Sequence, residues 1–212
     1  MFSPTIVPKL VTPDIKKLCK DLTGCSEAYY VDVINKPGAL RNKCALNAKD
    51  EADEKNGNVI FGWSIFVWEK VFVQFIGHAI VEAGGKKYCV TPAKHGESKI
   101  LFIPDPAITF NYDSESSRMP SKTLPISKQK VVHQLIAVQS KLLEIKSKYS
   151  VTSGQLLLAG DDAVNVRELE GEQQELMNRI IYLHHPIKSN CSCGSGKQFR
   201  KCCRPHMKRV YG

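Results

Sequence analysis

Four cysteines near the carboxyl end have a spacing that suits metal coordination. Cys191 and Cys193 form a Cys-x-Cys pair, and Cys202 and Cys203 follow after eight residues as an adjacent pair. Zn²⁺ takes four ligands in a tetrahedron and binds thiolate sulfur well, so four thiols at such short spacings can close on one ion. The sequence therefore predicts a zinc site with four cysteine ligands.

The segment between the two cysteine pairs is short, basic and glycine-containing, with the sequence GSGKQFRK. Gly194 and Gly196 allow the chain to turn with positive φ, and they free backbone amides close to the sulfurs. Hydrogen bonds from such amides spread the negative charge of a four-thiolate complex. We therefore expect these glycines to support coordination as well as the turn.

The residues from Cys191 to Cys203 resemble the SEC-C motif, a small metal-binding module first recognised at the C-terminus of the SecA translocation ATPase. Both the ligands and the GSGK-aromatic-basic segment match. Ser192 stands where proline is usual, and Cys203 stands where histidine also occurs. The resemblance implies a zinc-stabilised knob that binds a partner, since in the secretion ATPase this module contacts a chaperone and the ribosome.

The C-terminal knob, residues 188–212, also holds most of the chain's excess positive charge. The formal net charge is +9, and the knob contains no acidic residue beside seven cations: Lys188, Lys197, Arg200, Lys201, Arg204, Lys208 and Arg209. Such a cluster favours an acidic protein surface or the phosphates of a ribosome or nucleic acid, and we expect Lys197, Arg200, Lys201 and Arg204 to contact that partner. In an alternative interpretation, these cations only offset the charge of the thiolates, and zinc only folds a tail too short to bury a core.

A second candidate site lies in the first half of the chain and would be catalytic. This half contains the stretch GWSIFVWEKVFVQFIGHAIVEAGGKKYCVTP, followed by ILFIPDP. With these stretches, residues 40–106 look like the N-terminal region that accompanies SEC-C motifs in some uncharacterised bacterial proteins, where a GW element, an HA strand and a VTP strand recur. The order of cysteine, histidine and third residue here is reminiscent of papain-like and transglutaminase-like folds. The resemblance implies Cys44 as a nucleophile at a helix start and His78 as its base, in a cysteine hydrolase or acyltransferase.

The two positions expected to orient the His78 imidazole hold Cys89 and Thr91 instead of Asp or Asn. If Gly84 and Gly85 close a two-residue hairpin, His78 lies opposite Thr91, and Ile80 lies opposite Cys89. The simpler interpretation is that His78 and Cys44 are packing groups. A second metal site built from Cys44, His78 and Cys89 is a further alternative, although no short ligand pair anchors it.

The remaining histidines and the tryptophans have structural interpretations. His184 and His185 precede Pro186 at a predicted helix end, where a positive side chain is favourably placed. His206 follows a complete set of four cysteines, so we expect it outside the coordination sphere. Trp63 and Trp68 lie in apolar strand segments, and we expect both to anchor the core, in the manner of most aromatic residues at such positions.

These residues are distributed over a predicted α+β fold: an antiparallel sheet with flanking helices, a helical hairpin and a small C-terminal zinc knob. Residues 1–112 form the expected sheet domain, 113–127 a linker or surface crossing, 128–187 the hairpin and 188–212 the knob. Helices are expected at 13–23, 42–55, 128–149 and 166–184, the last with Asn165 as its cap. Strands are expected at 28–34, 59–68, 71–82, 86–91, 99–103 and 107–110, arranged as an antiparallel meander.

Cysteine usage and hydropathy bear on the compartment. Cys19, Cys25, Cys44 and Cys89 are scattered, which is typical of reduced thiols rather than a disulfide framework. The first residues contain three prolines and lack the apolar core of a secretory signal, and charged or polar residues interrupt the apolar region 59–83. We therefore expect a cytoplasmic protein with no membrane span. Its oligomeric state has no signature in the sequence.

Overall fold

The computed structural model describes residues 5–93, 96–114, 117–149, 151–152 and 155–212. These residues divide into two compact units. The sheet unit comprises residues 5–68 and 73–124, and the helical unit comprises residues 69–72 and 125–212. Predicted features at residues 1–4, 94–95, 115–116, 150 and 153–154 lie outside the described residues.

The sheet unit begins with helix α1, Pro13–Thr23, which confirms the predicted bounds. The Thr12 hydroxyl accepts from the amide of Ile15, and Gly24 ends the helix in the left-handed conformation, as proline-initiated, glycine-terminated helices do. Strand β1, Tyr29–Val33, and helix α2, Cys44–Lys55, follow. The bounds of the next strands are β2 Asn58–Trp68, β3 Phe72–Ala83, β4 Lys86–Cys89, β5 Lys99–Pro104 and β6 Ser121–Pro125.

The sheet is mixed, so the predicted antiparallel arrangement is only partly right: β1–β5, β2–β5 and β3–β4 are antiparallel pairs. Its order is β2-β5-β1-β4-β3-β6, and β1 lies parallel to β4, with Asp32 opposite Tyr88. β2 also pairs with β3, so the first five strands form a closed sheet. Turn signals report only pairings between neighbours in sequence, and β1 is separated from β4 by a helix and two strands.

The hairpin register predicted at Gly84 and Gly85 is confirmed, because Ala83 pairs with Lys86 and Val81 pairs with Tyr88. The two faces of this hairpin support different packing. On one face, Ala79 and Val81 belong to a cluster with Ala48 and Ala52 of α2. On the other face, Ile80 and Cys89 pack with three more buried residues: Val31, Ile100 and Phe102.

The predicted strand at 107–110 is absent, because a buried carboxylate turns the chain after Pro104. Asp105 accepts a hydrogen bond from the Ala107 amide at 2.9 Å and one from Trp63 Nε1 at 2.8 Å. Both tryptophans are core residues, as expected, since Trp63 and Trp68 are each buried. A carboxyl group that accepts from both a backbone amide and a buried indole favours this turn over a strand.

The sheet continues past residue 112, contrary to the expectation that 113–127 only crosses the surface. β6 pairs with β3, and the Gly77 amide donates to the Pro120 carbonyl at 2.7 Å. A Cβ atom at Gly77 would meet Pro120 at 2.6 Å, so the missing side chain permits this approach. The serine and proline residues of this segment are not typical of a strand. The sequence therefore does not predict β6, whose pairing depends on backbone hydrogen bonds.

The helical unit is built on the predicted hairpin of helices α3, Lys130–Ser147, and α4, Gly160–His184, joined through the short strands β7, Val151–Thr152, and β8, Gln155–Leu156. Val138, Leu142 and Val166 form its buried seam. α4 begins at Gly160 rather than at a cap on Asn165, with acidic side chains in its first turn that complement the helix dipole. Leu183, predicted on the apolar side, is exposed.

The chain ends with a 3₁₀ turn, Phe199–Lys201, and helix α5, Arg204–Tyr211. α5 packs against α4, where the rings of Tyr211 and Tyr182 lie 6.3 Å apart. The Arg204 guanidinium lies 5.5 Å from the centre of the Tyr182 ring. The helical unit therefore carries the C-terminal cysteines on a loop flanked by two packed helices.

Candidate metal centre

The four C-terminal cysteines converge on one point. Their sulfur atoms all lie within 4.8 Å of one another. Cys193 Sγ is 3.5 Å from Cys202 Sγ, and Cys202 Sγ is 3.9 Å from Cys203 Sγ. All four are free thiols, and these separations are far longer than the roughly 2 Å of a disulfide bond. Cys191, Cys193, Cys202 and Cys203 can therefore hold a metal ion.

A tight turn brings the two cysteine pairs together. Gly194 and Gly196 have φ values of 80° and 73°, the left-handed region that favours glycine. The Cys191 amide donates to the Lys197 carbonyl at 2.7 Å, and the Gly194 amide donates to the Cys191 carbonyl at 3.2 Å. The glycine-dependent turn expected from the sequence is present.

Hydrogen bonds around the sulfurs distribute the charge unevenly. Ser195, through its hydroxyl and its backbone amide, and neighbouring thiols lower the pKa of Cys193 to about 6. Burial and hydrogen bonds with the other three thiols raise the pKa of Cys203 to about 12. Adjacent thiols resist simultaneous ionisation, and a bound cation supplies the charge that lets all four ionise.

The loop that carries the four cysteines packs on a small apolar cluster. The Phe199 ring is fully buried and meets the His185 imidazole edge to face, with 4.9 Å between ring centres. His185 Nε2 donates to the Asn190 carbonyl at 2.9 Å, and Asn190 pairs with Gln198 in an isolated antiparallel β-bridge. His185 therefore anchors the loop to the end of α4, a role that its position beside Pro186 did not reveal.

The other two nearby histidines are not ligands. His184 Nε2 donates to the side-chain carbonyl of Gln129 at 2.9 Å, which joins the end of α4 to the start of α3. His206 is exposed on α5 and does not belong to the cysteine cluster, as expected. Within the described residues, no other group of three or more potential metal ligands lies this close together, so a second site at Cys44, His78 and Cys89 finds no support.

The basic side chains around the loop face solvent. Lys188, Lys197, Arg200, Lys201, Lys208 and Arg209 are exposed, and Arg204 is half-buried. None of the seven forms a salt bridge with any residue that the structure describes, whereas lysines elsewhere in the chain do. The positive charge predicted for the knob is therefore available at its surface.

Cys44 lies at the first position of α2, as expected, but its surroundings disfavour a thiolate. The residue is 6% exposed, and burial raises the pKa of the Cys44 thiol despite hydrogen bonds from backbone amides, including that of Ala79. Desolvation therefore outweighs the backbone hydrogen bonds that reach this sulfur. In the described part of the chain, no hydrogen bond joins Cys44 to His78.

His78 contacts Cys89. Its Nε2 lies 3.2 Å from Cys89 Sγ, and the Cys89 thiol donates to the Thr91 carbonyl at 3.6 Å. Burial lowers the pKa of His78 to about 4 and raises the pKa of Cys89 to about 11, so both groups are neutral at physiological pH. The Thr91 hydroxyl meets Asn47 of α2 instead of His78. Asn47 also bonds both backbone groups of Leu40, so it fixes the loop that precedes Cys44.

Within the described part of the chain, every helix is too short or too polar to span a bilayer.

Comparisons with known proteins do not assign this arrangement to a family. No family model, curated protein or solved structure matches the chain.

Proposed function

We propose that Cys191, Cys193, Cys202 and Cys203 hold one zinc ion, and that the knob they fold is a SEC-C-type interaction module. Its basic surface docks the chain to a macromolecular partner. The observation that carries this proposal is the convergence of four sulfurs within 4.8 Å of one another. Binding rather than catalysis is then the function of the C-terminal region.

Two of the sulfur separations are compatible with a tetrahedral zinc site. A tetrahedral site with Zn–S bonds of about 2.3 Å places neighbouring sulfurs about 3.8 Å apart. The two separations of 3.5 Å and 3.9 Å lie close to this value. Thiolate sulfur is also the donor that favours zinc over magnesium or calcium.

The size of the knob supports a folding role for the metal. Phe199 and Cys191 are its buried apolar side chains, and so small a core does not fold a loop of this length unaided. Metal binding supplies the missing free energy, since the ligands form a site only when the ion organises them. The surface presented to a partner therefore depends on zinc.

Metal analysis of the purified, untagged protein tests the site. We expect one zinc per chain, and we expect Cys202→Ser to lose it. Cys25→Ser is the matched control, because Cys25 is a half-buried thiol of the sheet unit that lies outside the cluster. Less than stoichiometric zinc in the unmodified chain, or equal zinc in both variants, would remove the basis of the proposal.

The second candidate function, a papain-like or transglutaminase-like cysteine hydrolase or acyltransferase using Cys44 and His78, has weaker support. Its favourable features are the position of Cys44 at a helix start and the contact of His78 with Cys89, which lies where an orienting residue is expected. A nucleophilic Cys44 would react with iodoacetamide before Cys25 at pH 6. Because the Cys44 pKa is raised, we expect the opposite order.

A further inference from the structure

The cations of the C-terminal knob differ from those of the sheet unit in lacking acidic partners. Lys36, Lys49 and Lys99 of the sheet unit pair with Glu51, Asp53 and Asp32 at 2.6 to 3.2 Å. The seven cations of residues 188–212 make no such pair in the part of the chain that the structure describes, and no acidic residue occurs among them. Their charge therefore remains available to an external anion.

Local structure fixes the backbone beneath these cations. The Lys197 backbone carbonyl accepts from the Cys191 amide across the turn, and the Lys201 backbone amide donates to the Gln198 carbonyl at 2.9 Å. The 3₁₀ turn that carries Arg200 and Lys201 packs against α5, which begins at Arg204. A bound metal would thus hold a set of long basic side chains on a rigid base, which lowers the entropic cost of meeting several phosphates at once.

Arg204 has a geometry suited to an oxyanion. Its guanidinium carbon lies 5.5 Å from the centre of the Tyr182 ring, within cation–π distance, and its Nε is buried with no hydrogen-bond partner among the described residues. Contact with the ring restricts where the guanidinium can lie. A planar, oriented guanidinium binds phosphate through two parallel hydrogen bonds.

The exposed side chains of the C-terminal knob favour a nucleic acid over an acidic protein as the partner. Protein interfaces are centred on apolar or aromatic anchors, and lysine is depleted there. The aromatic ring of the metal loop, Phe199, is fully buried, whereas Lys197, Arg200 and Lys201 are exposed. A surface dominated by charge matches a polymer whose regular feature is one phosphate per nucleotide.

We infer that the C-terminal knob binds the phosphodiester backbone of a nucleic acid without reading its bases. Arg200, Lys201 and Arg204 are the main contacts, with Lys197 and Lys208 beside them. The inference rests on the proposed function, because the metal site shapes the loop. It adds the chemical class of the partner.

Fluorescence anisotropy with the full-length, zinc-loaded protein tests this inference. The probes are a labelled 20-nucleotide RNA, a labelled 20-base-pair DNA duplex, and scrambled versions of each. We expect affinity to be independent of base sequence and to fall steeply between 50 mM and 200 mM salt. The Arg200→Gln/Lys201→Gln variant should bind about 10-fold more weakly and lower the salt slope for the duplex by about 2, since two phosphate contacts are lost.

The matched control is Lys49→Gln/Lys99→Gln, which removes the same charge from paired, exposed lysines of the sheet unit. We expect it to leave the affinity unchanged. Equal weakening by both double variants, binding that does not respond to salt, or equally effective competition by polyglutamate at matched charge would overturn the inference. If RNA binds more tightly than DNA, or DNA more tightly than RNA, the tighter probe identifies the source of the phosphates. Either result supports the inference.

Zinc content measured on the same samples separates this inference from the proposed function. Stoichiometric zinc without nucleic-acid binding overturns the phosphodiester partner alone. Absence of zinc overturns the metal site on which both rest. The double variant at Arg200 and Lys201 retains all four cysteines, so we expect its zinc content to equal that of the unmodified chain.

Discussion

Two buried cysteines of the sheet unit and one exposed cysteine of the C-terminal knob meet opposite environments. Cys19 and Cys89 are buried in the apolar core, and burial raises the pKa of each thiol to about 11. Cys193 is exposed, and hydrogen bonds from Ser195 lower its pKa to about 6. Cys19 and Cys89 behave as small apolar side chains, whereas Cys193 is available as a metal ligand. It shares the cluster with Cys191, which is buried, and with Cys203, whose pKa is raised.

The difference lies in what holds each region together. The sheet unit has a core of large apolar side chains, among them Phe75, Phe102 and Ile65, whose burial supplies most of its stability. The knob buries Phe199 as its single large ring. A thiol in the first region therefore contributes through packing, and we propose that a thiol in the second contributes through coordination.

The largest effect that distinguishes the two regions should come from metal removal. A zinc chelator is expected to unfold residues 191–203 while the sheet stays folded, because in the proposed site only the knob depends on the ion. Amide NMR measures this directly: the resonances of Gly194 and Phe199 should collapse, and those of Ile65 and Val81 should persist. Loss of the sheet resonances together with those of the knob would show that the regions do not fold separately.

Removing one aromatic ring from each region sharpens the comparison. Phe102→Ala should lower the free energy of unfolding of the sheet unit by about 3–5 kcal/mol, because it leaves a cavity in a packed core. Phe199→Ala should weaken zinc binding and leave the sheet unchanged. Trp63 and Trp68 both belong to the sheet unit, so tryptophan fluorescence in urea reports on it. A similar change in midpoint for both variants would contradict this expectation.

Acidification should destabilise the fold through His78. Its pKa is about 4 in the folded state, below its ordinary 6.5, so the unfolded chain binds more protons between these values. The contribution of His78 to the free energy of unfolding is therefore fully present above pH 6.5. It falls by roughly 3 kcal/mol as the pH decreases to 4. Urea denaturation measured at pH 7, 6 and 5 follows this loss.

His78→Gln is the control for the pH series, because burial and Lys70 also lower the pKa of His184, which acts in the same direction. The difference in pH slope between the unmodified chain and the variant isolates His78. Glu51 has a lowered pKa through Lys36 and titrates below its ordinary 4.5, outside most of this range. Identical slopes for both proteins would mean that His78 is not buried in its neutral form.

The smallest effect should come from a surface ion pair of the sheet unit. Lys99 and Asp32 lie 3.2 Å apart with both side chains more than half exposed. Lys99→Gln should therefore change the free energy of unfolding by less than about 1 kcal/mol, since solvent screens such pairs. A loss as large as that of Phe102→Ala would contradict the view that the apolar core holds this unit.

Local signals in the sequence predicted the regular elements well. The proline and glycine that bound α1, the glycine pair between β3 and β4, and the apolar seam of α3 all act over a few residues, and each was confirmed. The parallel pairing of β1 with β4 and the strand at Ser121–Pro125 were not predicted. Both depend on backbone hydrogen bonds between distant segments, which leave little trace in side-chain patterns.

The candidate site shows the same division. The spacing of Cys191, Cys193, Cys202 and Cys203 is local, so their ability to meet at one metal ion follows from the chain itself. The anchoring of the loop by His185 and Phe199 required the folded structure. The hypothesis joining Cys44 to His78 relied on a helix meeting a strand, and the hydrogen-bonded neighbour of His78 is Cys89.

By itself, the sequence determined a cysteine cluster able to bind a metal and a basic tail beside it, because ligand spacing and charge are properties of neighbouring residues. Tertiary structure alone decided which thiols are buried, which cations have acidic partners, and which strand lies between β5 and β4. The physical reason is that burial and pairing depend on segments far apart in the chain. Their contacts form only when the whole core packs.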